Sequence, residues 1–79
     1  MSTRTISYIN AENVTIYTTT VTDDLIEITT VATGATKSMS WADVQTMPAQ
    51  DHTTLMTMIG GTDLQTFEYC YARLGDYFS

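Results

Sequence analysis

An α+β domain is expected, with an antiparallel sheet of three or four strands in the N-terminal half and two or three short helices over one face of it. Three observations predict this. Seventeen of the 79 residues are threonine, most of them before residue 40 and interleaved with Val, Ile and Tyr. Threonine is β-branched and favours extended backbone. After residue 40 the apolar residues recur at spacings of three and four, the period of a helix. Size sets the third limit, because 79 residues make one domain at most.

Thr5–Ile9 reads as a short first strand and Asn10–Asn13 as a turn. Residues 14–22, VTIYTTTVT, form the strongest strand signal in the chain. Asp23-Asp24 reads as a hairpin turn, although it lacks the glycine that usually marks one. Leu25–Thr33 is its partner strand, Gly34-Ala35 turns the chain again, and Lys37–Met39 forms a last short strand.

The register of the central hairpin is open at this level. A two-residue loop puts Tyr17, Val21, Ile26, Ile28 and Ala32 on one face with Thr15, Thr19 and Thr30. A loop one residue longer aligns Val14 and Ile16 with Ile26 and Ile28 instead. A one-residue slip exchanges the faces of a strand, so the core side is undecided. Either way one layer of helices leaves a face uncovered, with Val, Ile or Tyr among its threonines.

Ser40 is a good N-cap for a helix starting at Trp41, and Asp43 suits its first turn. Pro48 ends that helix and fits the first turn of the next, which runs through Leu55, Met56, Met58 and Ile59 to Gly60-Gly61. Thr62-Asp63-Leu64-Gln65 has the form of a capping box. The helix it opens carries Leu64, Phe67, Tyr71 and Leu74 as one apolar stripe, with Gly75 as its C-cap. The tail from Asp76 to Ser79 is expected to fold back onto the body.

Nine acidic residues face three basic ones, Arg4, Lys37 and Arg73, for a net charge of −6 and a pI near 4.1. This argues against direct nucleic-acid binding, which needs cations to neutralise phosphates. It argues equally against anionic membranes. It permits docking on a basic protein surface, including one that normally holds nucleic acid. The N-terminal residues lack the apolar core of a signal peptide, and a cytoplasmic protein is expected.

Chemistry-bearing residues are sparse, and no cofactor or metal is expected. His52 is the single histidine and Cys70 the single cysteine, which excludes the common zinc sets and an internal disulfide. A base or ligand role for His52 competes with a solvent-facing first-turn position. Cys70 sits beside the apolar stripe and near Glu68, which opposes a thiolate. Asp23, Asp24 and Glu27 lack the spaced oxygens and the mid-loop glycine of an EF-hand. Gly60-Gly61-Thr62 lacks the lysine of a phosphate loop.

The expectation is therefore a small acidic, non-enzymatic interaction protein. It would occupy a larger basic protein that handles nucleic acid, as phage inhibitors of host defence do. Candidate contacts are Asp23, Asp24, Asp63, Glu68, Tyr69, Asp76 and Tyr77, where acid and interface-prone tyrosine concentrate. The alternatives are a homodimer or larger assembly, including a virion, built through the sheet, and an enzyme using His52.

Overall fold

A computed structural model describes residues 3–61 and 63–78. Its elements run β1 (Arg4–Ile9), β2 (Thr15–Val21), β3 (Leu25–Thr30), β4 (Thr36–Ser40), α1 (Trp41–Gln45), α2 (Ala49–Gly60) and α3 (Leu64–Leu74), closed by a 3₁₀ turn at Gly75–Tyr77. The four strands form one antiparallel sheet in the order β1-β2-β3-β4, so each pairs with its neighbour in sequence. Folded accessible surface is 4887 Å², close to the roughly 4,800 Å² expected for a compact chain of this mass.

The hairpin takes the two-residue loop. Tyr17 pairs with Thr30, Thr19 with Ile28 and Val21 with Ile26. That register turns Tyr8, Thr19, Ile26, Ile28 and Met39 to the buried side of the sheet. Over them lie Val44 of α1, Met47, Leu55, Met58 and Ile59 of α2, Phe67, Cys70 and Leu74 of α3, and Phe78 from the tail. Phe67 is the centre of an aromatic group. Its ring stacks on Tyr8 at 4.2 Å between centroids and meets Tyr17 at 5.0 Å and Tyr71 at 5.5 Å. The Tyr8 hydroxyl crosses the core to donate to the Met58 carbonyl at 3.0 Å. Burial pushes its phenol above the ordinary tyrosine range.

The other face of the sheet is uncovered by the helices. One row across it is Thr5, Thr20, Glu27 and Ser38; the next is Ser7, Thr18, Thr29 and Thr36. All eight are exposed or half-buried. The apolar residues of this face lie at its two ends. Half-buried Leu25, opposite Ser40, is beside the Asp23-Asp24 turn, and a group lies at the other end, where the register shifts between Tyr8 and Ile9 and leaves Ile16 as the extra residue of a β-bulge. Ile9 and Val31 beside it are each 46% exposed. The bulge also moves Thr15, expected on the core side, opposite Ile9.

Several boundaries differ from the sequence reading. β3 stops at Thr30, not Thr33, because the chain turns through residues 31–34. The Gly34 amide donates to the Thr30 carbonyl at 2.8 Å, and Gly34 takes a left-handed φ of 73°. Ala32 is therefore an exposed turn residue and not part of the core face. Asn13 is also left-handed, at φ 63°, in a turn held by the Asn10 side chain, which accepts from the amides of Glu12 and Val14. Pro48 is the N-cap of α2 and not its first helical residue. Gly75 does end α3, but in right-handed backbone, because the 3₁₀ turn continues the coil.

Among the described residues, one buried side-chain hydroxyl stands out. The Thr19 side chain is fully buried and its Oγ1 reaches no partner with good hydrogen-bond geometry, although it lies close enough to the Tyr8 hydroxyl to offset part of the rise that burial gives that phenol. A buried hydroxyl without a partner costs about 1–3 kcal/mol. Thr19→Val keeps the shape and the β-branch, and is expected to raise stability by about 1 kcal/mol, or about 4–8 °C in melting temperature. A melting point unchanged or lowered in calorimetry would show that the hydroxyl is satisfied in solution.

Candidate functional site

The seven candidate contact residues fall in two separate places. Asp63, Glu68, Tyr69, Asp76 and Tyr77 lie on α3 and the turn after it, whereas Asp23 and Asp24 form the β2–β3 turn. On α3, Gln65, Glu68, Tyr69, Ala72 and Arg73 recur at helical spacing and all face solvent, and Asp76 continues the stripe. Tyr69 is 64% exposed, the most exposed large apolar side chain among the described residues. Arg73, one turn later, lies over its ring at 5.8 Å, a cation–π pair. Tyr77 is less free: its hydroxyl donates to Asp51 Oδ2 at 2.6 Å, tying the 3₁₀ turn to the start of α2. That hydrogen bond pushes the Tyr77 phenol above its ordinary range.

Asp63 has a structural task. Thr62 lies outside the described residues, and the N-cap of α3 is Asp63 itself. Asp63 Oδ2 accepts from the Thr66 amide and hydroxyl, both at 2.9 Å. These bonds hold its carboxyl below the ordinary aspartate range. A carboxyl lowered in the folded state stabilises above its unfolded pKa of about 3.9, and that contribution is lost as pH falls through the folded value. Asp63→Ala should therefore melt below the parent at pH 7, with the gap closing as the solution is acidified past pH 3. A gap that is the same at pH 7 and pH 2.5 would remove the charged cap as its cause.

At the other end, the Asp23-Asp24 turn is fastened from two sides. Thr22 Oγ1 accepts from the Leu25 amide at 3.1 Å and donates to the Leu25 carbonyl at 3.2 Å. Trp41 closes the turn from above: its amide donates to the Asp24 carbonyl at 3.2 Å and its indole Nε1 to the Thr22 carbonyl at 2.7 Å. Neither aspartate adopts a left-handed backbone. This is why a hairpin without glycine holds here. Both carboxylates remain exposed. Thr3, Arg4, Val21, Thr22, Asp23 and Trp41 line an open depression of about 600 Å³ beside the turn.

Sequence reasoning did not find the structural parts of Arg4 and Trp41. The Arg4 guanidinium donates to the Ile59 carbonyl near the C-terminus of α2, where partial negative charge collects. Trp41 was legible only as the first residue of a helix. Its pairing with a turn 19 residues earlier has no local signal.

The remaining chemistry candidates lie apart in character. His52 is exposed in the first turn of α2. Cys70 is 3% exposed within the core, and burial pushes its thiol up, away from the thiolate. Among the described residues, no group of three or more His, Cys, Asp or Glu is placed to hold a metal ion. No helix among them is long and apolar enough to cross a membrane. Comparison with protein-family profiles, curated proteins and solved structures finds no match to this chain.

Proposed function

We propose that this is an acidic protein-binding module that occupies the basic surface of a larger, nucleic-acid-handling protein, in the manner of a phage-type inhibitor. The observation that carries this reading is how the few cations are used. Arg4 is bonded to the Ile59 carbonyl and Arg73 covers Tyr69, so two of the three spend themselves on neutral groups. Surface carboxylates at Asp23, Asp24, Glu68 and Asp76 are left facing solvent. A net charge of −6 then projects outward and attracts a positive partner. Packing of Cys70 in the core and exposure of His52 offer nothing that a catalytic pair would need.

Affinity purification with the tagged chain, followed by binding measured at several salt concentrations, tests the proposal. A captured nucleic-acid-handling protein whose affinity falls with salt, and which the chain displaces from nucleic acid, supports it. A partner bound with salt-independent affinity would overturn it, because attraction between exposed charges is screened within about 8 Å at 0.15 M salt.

The uncovered sheet face favours one second reading, a subunit that packs against copies of itself. Light scattering over a wide concentration range decides between them. A strict monomer removes the assembly.

A further inference from the structure

We infer that the uncovered face of the sheet, with the Asp23-Asp24 turn at its end, is the surface that receives the basic partner; this rests on the reading just given and names its contact surface. The face is chemically distinct from the rest of the molecule. Its charge is Glu27, set between Thr20 and Ser38 in the middle of a hydroxyl-bearing row. Arg4 pairs with Val21 and Lys37 with Ile28, so both cations of the sheet belong to the helix side. Arg73 is on α3. The rows of the open face thus carry Glu27 without a lysine or arginine among them, and at the turn Arg4, which lines the same depression as Asp23, is engaged by the Ile59 carbonyl.

The rows of Thr and Ser add a second property. Short β-branched hydroxyl side chains lose little rotamer freedom when covered, unlike the long side chains that rim most surfaces. Each hydroxyl donates and accepts, so it meets guanidinium, ammonium or backbone groups without leaving an unpaired polar atom. The exposed Ile9 and Val31 at the bulge end offer an apolar anchor. From the bulge to Asp23 is seven residues of strand, or about 23 Å at about 3.3 Å per residue. The partner surface that fits has an apolar side chain at one end and a cluster of Arg or Lys about 20 Å away, given that strand rise.

Magnitudes disfavour a second copy as the occupant. Four strands about 4.8 Å apart and about 20 Å long make a face of roughly 400 Å². A stable interface buries about 800 Å² on each partner. Face-to-face stacking would also bring two copies of Glu27 together, in molecules that already carry −6 each. A cationic protein surface wrapping onto the Asp23-Asp24 turn gains both the missing area and the charge match. Nucleic acid, which is anionic, is repelled by the same charges.

The test is a titration of the isotope-labelled chain with an octa-arginine peptide at low salt, read by amide chemical shifts. Shifts are expected at Thr18, Thr20, Glu27 and Thr29 and in the Asp23-Asp24 turn. Glu27→Arg should weaken binding by about tenfold, and Glu68→Arg by less than about twofold. Glu27→Gln, which adds no repulsion and little risk to folding, should give an intermediate loss. Shifts confined to α3 and the 3₁₀ turn, or spread evenly over every acidic residue, would overturn this assignment while leaving the acidic-module reading in place. Absence of any shift with the peptide in large excess would overturn both.

Discussion

Phe67→Ala is expected to lower the melting temperature by about 15 °C or more. Phe67 is fully buried, and its ring is the one that Tyr8, Tyr17 and Tyr71 all approach. Truncating a buried Phe costs about 3–5 kcal/mol in lost transfer energy and residual cavity. A domain of this size has about 4–12 kcal/mol in total. The loss corresponds to about 15 °C or more in melting temperature. The cavity would open between β1, β2 and α3, where the ring packs against those of Tyr8, Tyr17 and Tyr71. Circular dichroism melts measure this directly. A fall of less than 5 °C would mean that the aromatic group is not the centre of the core.

Trp41→Ala is expected to cost about 2 kcal/mol, from lost half-buried indole surface and the hydrogen bond to the Thr22 carbonyl. Its distinguishing effect is local. The Asp23-Asp24 turn has no left-handed residue to preset it, so removing the indole should loosen the turn before the rest of the sheet. Amide exchange at Asp24 and Leu25 should rise well beyond that at Tyr17 or Ile28. Uniform acceleration across the sheet would show that Trp41 supports global stability alone. Because Asp23 and Asp24 belong to the proposed docking surface, the same variant should bind octa-arginine more weakly.

What was legible in the sequence follows from how far each signal reaches. The strand-rich half and the helix-rich half were readable because β-branched runs and three-four spacing are local patterns. Ser40 as a cap and Leu64, Phe67, Tyr71 and Leu74 as a stripe needed no tertiary knowledge, although Leu64 and Tyr71 are half-buried while Cys70 is packed in the core. The sheet register was not legible, because threonine is acceptable on either face and erases the alternation that normally sets it. Thr19 is the sharpest instance. Its neighbours Thr18 and Thr20 face the open side, while Thr19 is fully buried. No property of the residue itself distinguishes the three. The start of the turn at residues 31–34 is hidden in the sequence because Val31-Ala32 looks like strand, whereas the left-handed Gly34 sets where the chain reverses.

The candidate site was legible in composition but not in place. Acid is spread along the chain, four carboxylates before residue 40 and five after, whereas three of the five tyrosines fall between residues 69 and 77. Separation of Asp23 and Asp24 from the α3 set, the cap made by Asp63 and the bond from Tyr77 to Asp51 all arise from long-range packing or from hydrogen-bond geometry.

The sequential strand order has a consequence for how the chain is made. Every sheet contact is between neighbours in sequence, so a growing chain could pair its strands as they emerge, before any helix exists. Yet the inner face of that sheet, with Tyr8, Ile26, Ile28 and Met39, finds its cover only in residues after Trp41. During synthesis the nascent product is thus a half-finished sheet with its apolar side open to whatever is nearby, the state in which chains most readily associate wrongly. The threonine-rich outer rows keep the opposite side of that intermediate wettable. Translation arrested after residue 40 should yield an aggregation-prone species, and release of the full chain a well-behaved one; a compact and soluble 1–40 fragment would contradict this order of events.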